Sequence, residues 1–314
     1  MKKVAIIGAG IMGNGIAQSC AQNKELHIVV IDPFASSLEL FSKKISENID
    51  SFIATNLIVD ESKSDILSRI ELTTDFSKAA EADIVFEVIP EKFDLKKELF
   101  EKLSDICSPT CIFASNTSGI PITKIAQTVK HPERVIGTHF FQPAHLIPLV
   151  EVIQTEVTTS TVIEKTMQFL SSIGKIPAHI KKDVPGFVAN RLQHALSREA
   201  MYLVQEDVVS VEDLDKIFLG SVAPRLVFTG PLQQRDMNGL DTHLAINEYL
   251  YKDLNNSTEP LDIIKQKVAA GAYGAKSGQG FYDWHGQNIV EIYNKKNHEL
   301  IALFKFLKSL NNTK

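Results

Sequence analysis

The sequence predicts an α/β protein in which an N-terminal, doubly wound parallel sheet is followed by an all-α domain. From Met1 to about Lys182, short β-branched runs alternate with longer helical stretches, as in a sheet wrapped by crossover helices. After the breaker cluster at residues 183–186, no strand-like run of useful length remains. We therefore expect a sheet domain at residues 1–183 and a helical domain at residues 184–314.

Six runs have the length and composition of strands, and six suffice for a doubly wound sheet. They are Lys3 to Ile7, His27 to Ile31, Ile84 to Val88, Cys111 to Ala114, Val135 to Phe140 and Leu149 to Ile153. Between the second and third, apolar residues at helical spacing predict a helical arm at about residues 36–69. Beyond the junction we expect helices at Phe187 to about Gln205, Val211 to Leu219, Thr242 to Asp253, Pro260 to Ala270 and about Val290 to Leu310.

The composition is that of an ordinary globular protein and argues against several classes of function. Among 314 residues, 44% are hydrophobic and 23% are charged, and no apolar run approaches the length of a membrane span. The net charge of -5 and the scattered lysine pairs argue against nucleic acid as a partner. The three cysteines fit neither a disulfide framework nor zinc-site spacing, so we expect no metal and a reducing cytoplasm.

A glycine motif directly follows the first predicted strand and opens a helix. Gly8, Gly10 and Gly13 complete the pattern GxGxxG, so both structural conditions of a dinucleotide-binding motif are met. The glycines permit a tight turn, close approach of a pyrophosphate and close helix packing, while the backbone N–H groups of Ile11 and Met12 face the anion at the helix start. We interpret this motif as part of a Rossmann-type domain that binds a dinucleotide cofactor. The alternative is a glycine-rich turn that binds no ligand.

An acidic residue follows the second predicted strand. Asp32 lies 19 residues beyond Gly13, close to the spacing of the acid that binds the ribose hydroxyls in dinucleotide-binding domains. A carboxylate there repels the 2′-phosphate of NADP, so NAD is the expected cofactor. The alternative is that Asp32 only forms a turn before Pro33.

A histidine and a glutamate occupy the last two predicted strands. His139 lies near the end of RVIGTHFF, where the strand delivers it to the carboxyl edge of the sheet, and Glu151 interrupts the apolar run PLVEVI. The intervening prolines let the chain turn back, and a buried carboxylate needs a partner such as this imidazole. Hydride transfer from a secondary alcohol needs a base for the hydroxyl proton, which imidazole supplies. The alternative is that His139 and Glu151 are unrelated and have only structural roles.

Two further polar features are candidates for ligand contacts. The tetrad Ser115 to Ser118 follows the strand CIFA at the same edge, and Asn190 lies one turn into the first helix of the second domain. Both patterns also fit purely structural roles. Ser, Asn and Thr are ordinary capping and turn residues, and Asn also makes packing contacts within helices.

Together these segments resemble the L-3-hydroxyacyl-CoA dehydrogenase family across nearly the whole chain. The resemblance is carried, in the family's order, by VAIIGAGIMGNGIAQ, SNTS, THFFQPAHLIPLVEVI, DVPGFVANRL, GPLQQRDMNGLDT and KSGQGFYDW. It implies NAD-dependent oxidation of the 3-hydroxyl of an acyl-CoA in fatty acid metabolism, and a homodimer formed through the last part of the chain.

The resemblance also implies roles for individual residues. His139 is the catalytic base and Glu151 its partner, while Ser118 and Asn190 bind the substrate oxygen. Glu91 and Lys96 fall where the family contacts the cofactor. Gln142 stands near the nicotinamide, where the family usually has Asn.

One departure from the family pattern concerns coenzyme A. Relatives that grip coenzyme A use a lysine on the helical arm, 23 residues after the ribose acid, where this chain has Thr55. A neutral hydroxyl does not replace an ammonium as a phosphate contact. PAHLIPLVEV is also similar to enzymes that oxidise free 3-hydroxy acids, the L-carnitine and L-gulonate dehydrogenases.

A third hypothesis is that the chain is a non-catalytic nucleotide-binding or structural protein. The presence of all four expected catalytic residues argues against this hypothesis.

Overall fold

A computed structural model describes residues 1–58 and 60–311. The chain divides into two compact units, the first comprising Met1–Asn190 and the second beginning at Arg191. Val59, in the predicted arm, and residues 312–314, at the end of the predicted second domain, lie outside the described residues.

Unit 1 is organised around a single sheet. Its strands are β1 (Lys3–Ile7), β2 (His27–Ile31), β3 (Ile70–Thr73), β4 (Ile84–Glu87), β5 (Ile112–Ser115), β6 (Val135–Phe140), β7 (Leu149–Ile153) and β8 (Ile176–Ile180). Within the part of the chain that the structure describes, they form one eight-stranded sheet in the order β3-β2-β1-β4-β5-β6-β7-β8. All neighbours are parallel except β6 and β7, which are antiparallel. The predicted fold class is confirmed.

The strand prediction was incomplete at the two edges of the sheet. The six expected strands form, but β3 and β8 were missed. Both are edge strands, and neither presents the continuously buried apolar run of the central strands. In β8 the sequence IPAHI includes Pro177, a residue that sheets accept mainly at edges.

Helices cover both faces of the sheet because successive residues of each strand point to opposite sides. In unit 1 they are α1 (Ile11–Ala21), α2 (Ala35–Ala54), α3 (Lys63–Ser68), α4 (Phe93–Ile106), α5 (Ile122–Ala126) and α6 (Ser160–Ser172). Val4 and Ile6 belong to a core that includes residues of α1, α2 and α6. Ala5 and Ile7 belong to the opposite core, with residues of α4 and α5. The predicted arm is α2 followed by α3.

Unit 2 is helical, as the sequence predicted. Its helices are α7 (Ala189–Gln205), which begins at the end of unit 1, α8 (Val211–Ile217), α9 (Ala223–Phe228), α10 (Pro231–Asn238), α11 (Leu240–Leu250), α12 (Asp262–Ala269) and α13 (Ile289–Asn311). The sequence did not predict α9 and α10, which are short. The prediction also began α7 two residues early, because Phe187 has a positive φ of 51° that no α-helix contains.

The helices of unit 2 leave most of their apolar surface uncovered. Among residues 191–310, Leu261 and Ile301 are the buried apolar side chains. Large apolar side chains such as Leu232 and Met237 are 79% and 72% exposed. A monomeric domain rarely exposes this much apolar surface.

A buried lysine fixes the loop between β6 and β7. Lys175, just before β8, is 8% exposed, and its ammonium donates to the carbonyl oxygens of Ala144 at 2.5 Å and Ile147 at 3.1 Å. From the other side Gly15 of α1 packs so closely that an added Cβ would lie 2.9 Å from the Cβ of Ala144. Burial lowers the pKa of Lys175 to about 8.

Replacing this lysine changes how stability depends on pH. The unfolded chain binds more protons than the folded chain between about pH 8 and the ordinary lysine value of 10.5, so the cost of burying the ammonium disappears as pH rises through that window. We expect the free energy of unfolding of the wild type, measured in urea, to rise by roughly 3 kcal/mol relative to Lys175→Met across it. Lys165→Met, at an exposed lysine of α6, is the control. If the difference in the free energy of unfolding between wild type and Lys175→Met did not change with pH, it would contradict the lowered pKa of Lys175.

Candidate active site

The glycine turn between β1 and α1 has the close packing that a dinucleotide requires. Gly8 has a φ of +118°, and a Cβ at Gly13 would lie 2.0 Å from the carbonyl oxygen of Gly8, so helix and strand approach as only glycine allows. Gly10 has no atom within 4 Å of an added Cβ, which leaves its outer side open. Ile11 and Met12 form the first turn of α1, where unpaired backbone N–H groups favour an anion.

A cleft of about 900 Å³ lies beside this turn. Its walls are apolar, and they include Phe34, Leu40 and Leu95, which are 67%, 55% and 41% exposed. Asp32 also lines it, with one carboxylate oxygen accepting from the Ala9 N–H at 2.9 Å and the other from the Phe34 N–H at 3.0 Å. Open backbone, apolar walls and a fixed carboxylate fit the pyrophosphate, adenine and ribose of NAD.

The histidine and glutamate predicted to pair are neighbours across two strands. In the antiparallel pairing of β6 with β7, His139 is directly opposite Glu151, and His139 Nδ1 is 2.8 Å from Glu151 Oε2. The two residues are 4% and 2% exposed. The rings of Phe141 and Phe187 contact the imidazole at centroid distances of 4.6 and 5.5 Å.

The second oxygen of Glu151 is bound by the start of α7. Glu151 Oε1 accepts from the backbone N–H groups of Val188 at 3.0 Å and Ala189 at 2.8 Å. Burial alone raises the pKa of the Glu151 carboxyl, but the hydrogen bonds from His139, Ala189 and Val188 together lower it below its ordinary value. The carboxylate is therefore ionised and accepts a hydrogen bond from the Nδ1–H group of the imidazole.

Ser118 and Asn190, predicted to bind substrate, are brought together. Asn190 Nδ2 donates to the Ser118 carbonyl oxygen at 3.2 Å, and Ser118 is exposed. Glu91 holds the same turn: its Oε1 accepts from the Thr117 hydroxyl, from the Ser118 N–H at 3.0 Å and from the Gly119 N–H at 3.1 Å. Partial burial opposes ionisation, yet the Thr117 hydrogen bond and the charge of Lys96 lower the pKa of Glu91.

Lys96 lies behind Glu91 in a buried ion cluster whose third member, Glu87, was not predicted from the sequence. Its ammonium, 1% exposed, is 2.5 Å from Glu87 and 3.3 Å from Glu91. Glu87 ends β4, is fully buried and also accepts from the Ser115 hydroxyl at 2.5 Å. Burial raises the pKa of Glu87, and the charge of Lys96 opposes that shift. Glu87 interrupts the apolar run IVFEVI as Glu151 interrupts PLVEVI, which was the available signal.

Two other predicted positions lie near the end of β6, one across the sheet and one along the chain. Asn116, in the polar tetrad, accepts from the Phe140 N–H at 2.8 Å and so ties the end of β5 to the end of β6. Gln142 is exposed two residues beyond β6 and forms a cis peptide bond with Pro143.

This arrangement suits the oxidation of a secondary alcohol. With Nδ1 bound to Glu151, His139 Nε2 is the nitrogen that can take the hydroxyl proton, and the ionised carboxylate stabilises the imidazolium that results. NAD⁺, when bound at the glycine turn, would supply the hydride acceptor. Among the described residues, no group of three or more His, Cys, Asp and Glu side chains is arranged to hold a metal ion.

Comparison with known families agrees with this geometry. Residues 3–184 match the NAD binding domain of 3-hydroxyacyl-CoA dehydrogenase, and residues 186–284 match the C-terminal domain of the same enzymes. The protein is thus a two-domain dehydrogenase of the nicotinamide-dependent class. The chain belongs to the 3-hydroxyacyl-CoA dehydrogenase family.

Individual relatives differ in substrate. The chain is 32% identical to 5-formyl-3-hydroxy-2-methylpyridine 4-carboxylate 5-dehydrogenase of Mesorhizobium japonicum, over 98% of this chain and 99% of the relative. It is 36% identical to 3-hydroxybutyryl-CoA dehydrogenase of Bradyrhizobium diazoefficiens, over 92% of this chain and 98% of the relative. A crystal structure of the pyridine-carboxylate enzyme, described as an NAD⁺-dependent dismutase, superposes with a TM-score of 0.91 at 31% identity, covering 98% and 99% of the two chains.

These findings confirm the predicted family, the NAD cofactor and the assignment as an oxidoreductase that acts on a secondary alcohol. They favour an enzyme over the non-catalytic hypothesis. The roles of the individual site residues stay predictions. No helix in the described residues has the length and apolar character to cross a bilayer.

Substitutions in the pair test the proposed chemistry. Because glutamine cannot take up the proton, we expect His139→Gln to lower kcat by roughly 10²–10⁴-fold while NADH binding, followed by nicotinamide fluorescence, is retained. In Glu151→Gln, an amide N–H₂ facing Nδ1 would leave the proton on Nε2, so we expect a loss of about 10²-fold. His179→Gln, at an exposed histidine of β8, is the matched control. Full activity of His139→Gln would exclude the imidazole as the base.

Proposed function

We propose that this enzyme oxidises the 3-hydroxyl of an L-3-hydroxyacyl-CoA, such as 3-hydroxybutyryl-CoA, to the 3-keto product, reversibly and with NAD. The observation that carries the proposal is the buried His139–Glu151 pair across β6 and β7, at the edge of the sheet where ligands of such folds bind. His139 acts as the base and Glu151 fixes its tautomer. The similarity to 3-hydroxybutyryl-CoA dehydrogenase supports the choice of substrate.

The remaining site residues bind the ligands. Ser118 and Asn190 hold the substrate oxygen, which their direct contact supports. Gln142 contacts the nicotinamide end of the cofactor, and Glu91 and Lys96 belong to the cofactor site as well. Glu91, held by Lys96, also keeps the Ser118 turn in place. NAD itself is bound by Asp32, by the glycine turn and by the start of α1. The residues of the turn and helix start are Gly8, Gly10, Ile11, Met12 and Gly13.

A second candidate is a small acidic substrate without coenzyme A. Thr55, where coenzyme A-binding relatives have lysine, ends α2 and donates its hydroxyl to the Ser51 carbonyl oxygen at 2.8 Å. The pyridine-carboxylate enzyme, whose named substrate carries no coenzyme A, aligns with nearly the entire chain. Free 3-hydroxy acids of the carnitine or gulonate type belong to this class.

We also propose a cytoplasmic homodimer. The three cysteines that the structure describes are free and buried, as in a reducing compartment. The uncovered apolar side chains of unit 2 support a second copy of the chain as their partner, because self-association buries such surface symmetrically.

A side-by-side screen separates the two substrate classes. Turnover, read at nicotinamide absorbance, is measured on a series of 3-ketoacyl-CoA thioesters, including acetoacetyl-CoA, with NADH and on carnitine, gulonate and the formyl-pyridine carboxylate with NAD⁺. We expect the thioester to be turned over with the highest kcat/KM. Absence of activity on every thioester would overturn the acyl-CoA proposal, and activity on a free acid would then establish the second candidate.

Thr55→Lys sharpens that test. An ammonium at the end of α2 restores the family's phosphate contact, so for a coenzyme A substrate we expect KM to fall by roughly tenfold with kcat unchanged. Thr55→Met, of similar length and without charge, is the control. An unchanged KM for the thioester would mean that this position does not face coenzyme A.

The homodimer is tested by analytical ultracentrifugation. We expect the wild type to sediment as a dimer and Leu232→Asp, in the exposed apolar surface of α10, to shift toward monomer because a carboxylate is costly to bury. Val157→Asp, at a 51% exposed apolar position in unit 1, is the control. A wild type that is monomeric at micromolar concentration would contradict the proposal.

A further inference from the structure

The backbone entering α7 is held in an unfavourable conformation. Phe187 has a φ of +51° and is 1% exposed, although it is neither glycine nor asparagine. For a bulky residue such a conformation is a genuine outlier that persists only where the surroundings enforce it. Its N–H donates to the Val184 carbonyl oxygen at 3.0 Å, which closes the turn.

The left-handed turn aims the next two backbone donors at Glu151. The N–H groups of Val188 and Ala189 follow Phe187 directly, and both reach Glu151 Oε1. With Phe187 in a right-handed or extended conformation, the chain would leave in another direction and these donors would point elsewhere. The unfavourable conformation at Phe187 is therefore coupled to the partner of the catalytic base.

The side chain of the same residue touches the base itself. The Phe187 ring lies 5.5 Å from the His139 ring with an interplanar angle of 56°. It also belongs to the buried apolar cluster that includes Phe113 and Ile153, so its position is fixed by the core of unit 1. Phe187 thus contacts the imidazole through its ring, and its backbone positions the two N–H groups that donate to Glu151.

We propose that Phe187 is a positioning residue that holds both members of the His139–Glu151 pair in their reactive geometry. The ring limits rotation of the imidazole, and the left-handed backbone orients the carboxylate. The proposal rests on the proposed role of His139 as base. It predicts a loss in the chemical step when the ring is removed, even where the backbone remains able to form the turn.

Phe187→Gly is the decisive variant, because glycine adopts the left-handed turn readily and removes only the ring. We expect kcat to fall about tenfold to a hundredfold with KM for NAD within about twofold of the wild type. The acid limb of the kcat/KM pH profile should move to lower pH, since a loosened Glu151 stabilises the imidazolium less. Activity is expressed per NADH-binding site, so that partial unfolding does not count as a catalytic loss.

Two companions separate positioning from general stability. Phe100→Leu truncates another fully buried ring of the same cluster, and we expect it to lower Tm while kcat per binding site stays unchanged. Phe187→Leu restores apolar volume without the flat ring, so we expect it to recover Tm more than kcat. Equal losses of kcat in Phe100→Leu and Phe187→Gly, or wild-type kcat and pH profile in Phe187→Gly, would overturn the proposal.

A readout without turnover keeps this test independent of the proposed function. The His139 Nδ1 proton bound to Glu151 should give a downfield resonance in ¹⁵N-labelled protein, assigned by its absence in His139→Gln. We expect the resonance in the wild type and in Phe100→Leu, and its loss in Phe187→Gly. If the wild type turned over no substrate but showed this pattern, the positioning role would stand while the proposed function failed. Persistence of the resonance in Phe187→Gly would count against positioning.

Discussion

The antiparallel pairing of β6 with β7 is the constraint on which the rest of the site depends. A parallel sheet would need a long crossover between these strands, whereas a reversal of direction needs only the short loop from Phe141 to Pro148. The reversal places His139 opposite Glu151 in direct register, so the hydrogen bond between them follows from the sheet itself. A slip of one residue would send one of the two side chains to the opposite face and separate the pair.

Buried charges at this edge are satisfied by the elements around them. Glu151 is bound by the start of α7, Glu87 by Lys96 and Ser115, and the ammonium of Lys175 by loop carbonyls. Each such group is costly to bury alone, so its partners have little freedom to move. The loop that follows His139, the turn that carries Ser118 and the segment that leads into α7 are thereby held by charge as well as by packing. The buried charges that make the site polar are thus the same groups that hold its loops in place.

Much of this could be read from the sequence because the relevant signals are local. The glycine turn, the central strands and the acid at Asp32 follow from spacing, and Glu151 follows from the cost of a charge inside an apolar run. The same reasoning applied to IVFEVI would have found Glu87, which was overlooked. The edge strands were missed because half-exposed strands lack a continuous apolar run. The left-handed Phe187 could not have been predicted, since it is imposed by contacts that form only in the folded chain.

The proposed reaction centre, His139 with Glu151, and the proposed coenzyme A position, Thr55, belong to separate elements of unit 1: a pair of strands and the end of a helical arm. His139 and Glu151 lie within two paired strands in the interior of the sheet, and both side chains are buried. Thr55 directly follows α2 and is partly exposed, outside the buried core of the sheet. By their names, the two relatives compared above act on a thioester in one case and on a pyridine carboxylate in the other. The proposed chemistry of this chain therefore depends on the pairing of two strands, whereas the proposed choice of substrate depends on a residue outside the sheet.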